Sequence, residues 1–240
     1  MAGHVFLIPG LGADADLFYP QQEALGDKLT VVSDVEGDAL WKAKPCMSAA
    51  ADAFAERILP LLPEDGRYVL GGMSFGGSLA MEIAGRLVEN SDCPNPASLV
   101  LIASNRTSDT VSLSFRINRV VGSSLPSALV RRGLSLASRL FAKRESLGEL
   151  DRERLGEMAG RADLQKLMWG AKAIAGWKFG DDDANRLGIP IHQLHGRRDW
   201  VIPIADRHVT ETLENGRHLI TWTHRNEVNT WLEDIAKAAT

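Results

Sequence analysis

The side chains best placed to do chemistry fall in one run, Val69-Leu70-Gly71-Gly72-Met73-Ser74-Phe75-Gly76-Gly77-Ser78-Leu79-Ala80. Ser74 has Gly72 two residues before it and Gly76 two residues after it, with an apolar strand-like run ahead and a helical pattern behind. A serine on such a strand-to-helix turn has its hydroxyl exposed above the sheet, where a general base can take its proton. Glycines suit the two flanking positions because a side chain there would collide as strand and helix converge. The backbone N–H of Phe75, the residue after the serine, is then aimed at a developing oxyanion. The spacing points to nucleophilic acyl transfer.

A serine nucleophile needs a base, and the base needs a carboxylate that fixes its tautomer and stabilises the imidazolium. Asp199 follows the apolar run Ile191–Leu194 in His195-Gly196-Arg197-Arg198-Asp199-Trp200, whereas the run Ser98–Ala103 has no carboxylate after it nearer than Asp109. Two histidines compete as base. If Leu219–Trp222 is the last strand, His224 sits just past its end. If Val209–Leu213 is that strand, Gly216-Arg217-His218 occupies the loop after it. His4, His192, His195 and His208 read as structural.

The elements that must position these groups are legible as a rhythm. Short runs rich in Val, Ile and Leu recur at His4–Ile8, Leu29–Val35, Arg67–Gly71, Ser98–Ala103 and Ile191–Leu194, mostly apolar throughout, as strands buried on both faces are. Helical patterns lie between them at Leu17–Leu25, Ser48–Leu62 and Gly77–Val88, with Asp14 or Asp16 expected to cap the first and Ser48 the second. Such alternation predicts an α/β fold, a doubly wound and mainly parallel sheet of about six strands. The rhythm breaks after Ala103. Arg131–Phe141 and Arg154–Ile174 look amphipathic with no clear strand between them, and a final helix is expected from about Arg225 to Ala238. The expected division is therefore a core of residues 1–104 and 189–240 with a helical lid inserted at 105–188.

Composition narrows the function. The 240 residues are 45% apolar and 24% charged, which fits a globular chain and excludes collagen-like or disordered classes. A net charge of −4 argues against a nucleic-acid partner. Cys46 and Cys93 are too far apart for a CxxC motif. With no basic leader and no apolar run of membrane-spanning length, the expected setting is the cytoplasm. Charge is uneven, however. Residues 106–180 hold fourteen basic and seven acidic side chains, while the rest holds thirteen basic and 24 acidic ones.

In these motifs the chain resembles the α/β-hydrolase fold family, in particular its small bacterial members with a helical lid. The likeness covers residues 4–104 and 189–238 and is loosest between them. It implies that Leu11, in Ile8-Pro9-Gly10-Leu11-Gly12, supplies the second oxyanion N–H, although Pro9 stands where many relatives have His. His195 to Pro203 resembles the family's H-G-x-x-D-x-x-I-P, which implies Asp199 as the orienting acid. Gly216-Arg217-His218 resembles its G-x-H, which favours His218 over His224. The implied activity is a serine hydrolase acting on a small-molecule carboxylic ester or thioester through an acyl-enzyme. C–C bond hydrolysis on the same triad, or a weakly active ligand-binding protein, are the alternatives. Met168, Trp169 and Trp177 in the lid are expected to line the substrate pocket, and neither metal nor cofactor is implied.

Overall fold

The expected strands assemble into one six-stranded sheet of order β2-β1-β3-β4-β5-β6, parallel throughout. The structure, a computed structural model, describes residues 3–35, 37–63, 66–110, 137–204 and 208–239. The strands are β1 (His4–Ile8), β2 (Leu29–Val31), β3 (Tyr68–Met73), β4 (Ser98–Ile102), β5 (Ile191–Gly196) and β6 (Glu211–Leu213). Every residue of β3 and β4 is buried, which is why both read as unbroken apolar runs.

From β1 the chain goes outward to β2, then returns past β1 to lay β3 on its other side. Strand order thus reverses between β1 and β3, and ligands of such sheets bind outside the carboxyl ends of the strands at that point. There Ile8 pairs with Gly72, so the loop after β1 and the turn after β3 emerge side by side.

Helices cover both faces. Residues of α1 (Tyr19–Leu25) and of the last helix, Arg225–Ala238, pack with Val5, Leu7, Val69 and Val100. On the other face lie α2 (Ala39–Lys42), α3 (Met47–Ile58) and α4 (Phe75–Glu89). In α3 the buried residues Met47, Ala50, Ala51, Phe54, Ala55 and Ile58 recur at helical spacing and form one stripe toward the sheet.

Between β4 and β5 come a helical stretch at residues 137–144, then α5 (Glu149–Arg161), α6 (Leu164–Ala175) and α7 (Asp181–Arg186). After β6 follow α8 (Ile220–Thr223) and α9 (Arg225–Ala238). No helix among the described residues is long and apolar enough to cross a membrane.

Several local expectations need correction. The last strand is Glu211–Leu213, and Ile220–Thr223 is helical. The third strand runs two residues further than expected, because Gly72 and Met73 stay in the ladder opposite Leu101 and Ile102. The second strand stops at Val31, well short of Val35. Ser48 does not cap α3, whose N-cap is Cys46; its hydroxyl instead accepts from the Arg86 guanidinium. Asp14 does cap, accepting from the Asp16 N–H at the start of the 3-10 turn Ala15–Phe18. The stretch Arg154–Ile174 is split, since Asp163 accepts from the Gln165 and Lys166 N–H groups and starts α6 anew. Most of the expected helix Arg131–Phe141 lies outside the described residues.

Candidate active site

Ser74 lies between β3 and α4 with φ 56° and ψ −121°, in the left-handed region that L side chains rarely adopt. Such a conformation costs about 1–3 kcal/mol and persists only where the surroundings enforce it. Here the Ser74 N–H donates to the Ile102 carbonyl at 3.0 Å, and the Ser74 carbonyl accepts from the Ser104 hydroxyl at 2.6 Å. The glycines allow the close approach: a Cβ on Gly72 would lie 2.5 Å from the Ile8 carbonyl oxygen, and one on Gly76 would lie 2.0 Å from it.

Phe75 opens α4, so its N–H belongs to the first turn and has no helical acceptor. It also lies at the positive end of the helix dipole. Leu11, in the loop after β1, borders the same cavity as Ser74.

Asp199 follows β5 and is buried. Its Oδ1 accepts from the Val201 and Ile202 N–H groups at 2.8 and 2.9 Å. Its Oδ2 lies 2.8 Å from His218 Nδ1 and 3.3 Å from His195 Nε2. Burial works against the ionised form, but the hydrogen bonds from His195 and His218, the His218 charge and the Ile202 N–H outweigh it. The carboxyl is held well below the usual carboxylate range. An ionised carboxylate can only accept, so the proton between them sits on His218 Nδ1. That leaves Nε2 able to exchange a proton with a hydroxyl in the cavity.

Ser74 and His218 line one cavity of about 590 Å3 at the carboxyl ends of the strands. Its wall is largely apolar, with Leu17, Met73, Phe141, Leu155, Met158 and Leu167 contributing. His224 is elsewhere, as the N-cap of α9 with its Nδ1 2.9 Å from Thr223 Oγ1. His195 is buried, 2.8 Å from the Ile202 carbonyl through Nε2. His4 bonds Thr30, and His208 meets Asp181.

Residues 3–114 match the model of the Thioesterase domain family. The structure superposes on an esterase from Thermogutta terrifontis with malate bound, with a TM-score of 0.74 and 21% identity over 99% of this chain and 92% of that one. An esterase from Exiguobacterium antarcticum gives 0.73 and 17% over 98% and 92%. A bromoperoxidase from Bacillus anthracis gives 0.71 and 16% over 97% and 91%. The chain is an α/β-hydrolase in fold. A search of curated proteins finds no match to the sequence. The family match spans just under half of the chain, and the structural neighbours carry the fold alone.

In this fold the expected aromatic lining is not on the cavity. Trp169 is buried, donates to the Ala43 carbonyl at 3.0 Å and packs edge-on to Trp41. Trp177 is buried, donates to Glu82 at 2.8 Å and stacks on Phe179. Both indoles face the core beneath the inserted helices because a buried N–H needs an acceptor, and the apolar cavity offers few. Met168 is also off the cavity; its neighbour Leu167 lines it. Leu155, Met158 and Ala162 of the 149–162 segment do line it, at spacings of three and four. That stripe is carried in the sequence by a helical period alone, with no residue type that marks a pocket wall. Trp200, which follows Asp199 directly, lines the cavity with the Arg144 guanidinium 3.9 Å above its ring.

Proposed function

We propose that this α/β-hydrolase cleaves a carboxylic ester or thioester with an apolar acyl group through an acyl-enzyme on Ser74. The observation that carries the reading is the shared cavity: a strained serine and a histidine already paired to a buried, ionised aspartate open onto the same apolar space. In this reading the Ser74 hydroxyl oxygen attacks the carbonyl carbon while His218 Nε2 takes its proton. Asp199 holds the imidazole and balances the imidazolium charge. The oxyanion is held by the Leu11 and Phe75 N–H groups, each of which would contribute about 10²–10³ in rate. His218 then returns the proton to the leaving alkoxide or thiolate, and water, activated by the same histidine, releases the acid.

Residues 105–188 would act as the lid over a core of 1–104 and 189–240, with α5 and α6 closing the acyl cavity from above. An apolar wall excludes water from the oxyanion and selects apolar acyl chains.

A fluorophosphonate probe tests the nucleophile directly. Stoichiometric labelling mapped to the Ser74 peptide is the expected result, and no labelling of folded protein would overturn the reading. A chain-length series of p-nitrophenyl and matching thioester substrates then reads the acyl preference.

A further inference from the structure

Glu145 is a carboxylate in a place that disfavours one. It is only 2% exposed. Its N–H donates to the Phe141 carbonyl at 2.8 Å, so it sits at the end of the helical stretch 137–144, and Ser146 after it has a left-handed φ of 62°. A helix C-terminus repels negative charge, and burial penalises it further. Among the described residues no lysine, arginine or histidine forms an ion pair with it. Conflicts of this kind between local preference and observed residue concentrate at functional sites.

Its two oxygens meet donors from two different loops. Oε1 accepts from the Trp200 indole N–H at 2.8 Å, and Oε2 accepts from the Leu219 backbone N–H at 2.8 Å. Trp200 directly follows Asp199, and Leu219 directly follows His218. The same short segment grips both loops again. The Phe141 ring lies 5.4 Å from that of Trp200 and 6.4 Å from that of His218, and Ser146 Oγ accepts from Arg217 at 3.0 Å. Two N–H donors arriving at separate oxygens need an acceptor at each, which a carboxyl group provides. A carboxamide would turn its own NH2 toward one of them.

We propose that Glu145 is a positioning residue that fixes the spacing of Asp199 and His218 by tying together the loops that carry them. The proposal rests on the triad reading above, and it assigns to the inserted segment a part in assembling the triad as well as covering the cavity. Glu145 touches none of the reacting atoms; it acts through the 2.8 Å contact between Asp199 Oδ2 and His218 Nδ1.

The test is Glu145→Gln, which keeps the volume and removes one acceptor. Two readouts are taken on folded protein: kinetics with a p-nitrophenyl ester, and the downfield proton resonance of His218 Nδ1–H. The expected result is a fall in kcat of about 10- to 100-fold, the scale of a misaligned catalytic group. KM should change less than twofold, and the downfield resonance should broaden or vanish. An unchanged resonance with unchanged kcat would overturn the proposal. Should E145Q fail to fold, Trp200→Phe cuts only the tie to the Asp199 loop; a smaller loss in kcat with a perturbed resonance is expected, and neither change would overturn it. The resonance reads the pair without turnover. Failure of the hydrolase reading, seen as no fluorophosphonate labelling of the wild type, is therefore distinguishable from failure of this one.

Discussion

Ser74 carries two separable properties, a hydroxyl and a strained backbone. Ser74→Ala should abolish ester turnover and leave the left-handed φ in place, whereas Ser74→Gly should abolish turnover and relax it. The glycine variant is therefore expected to be more stable than the alanine variant by about 1 kcal/mol, read by urea unfolding of the two proteins. Equal stabilities would mean the turn is not strained. His218→Ala should lose about 10³-fold or more in kcat, because triad members act as a unit, while His224→Ala should stay near wild type. Asp199 adds a pH signature. Its folded pKa is depressed, so the stability it contributes is fully present above the unfolded carboxylate value of about 4 and is lost as pH falls toward the folded value. The difference in Tm between wild type and Asp199→Asn should thus shrink as pH is lowered below about 4 and stay constant above it. A difference that grows on acidification would contradict the depressed pKa.

At the scale of elements, what was legible was what periodicity and punctuation encode. The elbow at Gly72 to Gly76 and the strands around it could be read because close approach forbids side chains and full burial forbids polar ones. The choice between two last strands could not be made from pattern alone, since Leu219-Ile220-Thr221-Trp222 has strand composition. Tertiary packing makes it a helical turn, with Ile220, Thr221 and Trp222 all buried. Glu145 was invisible for a different reason: its partners are 55 and 74 residues away, and no local rule marks a glutamate as a clasp. Helix α6 provides a test of how elements meet at the proposed oxyanion site. A Cβ at Gly170 would lie 2.4 Å from Leu11 Cδ1 and 3.6 Å from the Phe75 ring. Gly170→Val should therefore push the Leu11 side chain aside; if that shift is passed on to the Leu11 N–H, kcat falls more than 10-fold on the oxyanion-hole scale, with the fold retained by circular dichroism. Wild-type turnover would show that α6 yields without disturbing the loop.

Across the whole molecule, the basic insertion and the acidic body meet through specific pairs. Arg161 bonds Asp14 and Asp16, Lys166 bonds Asp34, and Arg225 of the body reaches back to Asp151. Exposed pairs of this kind stabilise little individually and are screened by salt. Arg144 differs: it borders the cavity, and among the described lining residues it is the only lysine or arginine. An ester bearing a carboxylate at the far end of its acyl chain should consequently show a KM that rises with ionic strength, while a neutral ester of equal size should not. Matched titrations from low to high salt decide it, and parallel responses would leave Arg144 without a role in binding.

The shortness of the outermost strands has a colloidal consequence. β2 and β6 span three residues each, against five or six for the four strands between them. Exposed strand edges are templates for pairing with another chain, and long flat ones seed aggregates. Here a second molecule laid along either margin would find only a few unpaired amides before the chain turns away. On one margin it would also meet Glu211, whose carboxylate is tied to the Trp231 indole. Of the apolar runs that make this sheet legible in sequence, the fold keeps β1, β3, β4 and β5 in the interior of the ladder and leaves only the shortened β2 at a margin.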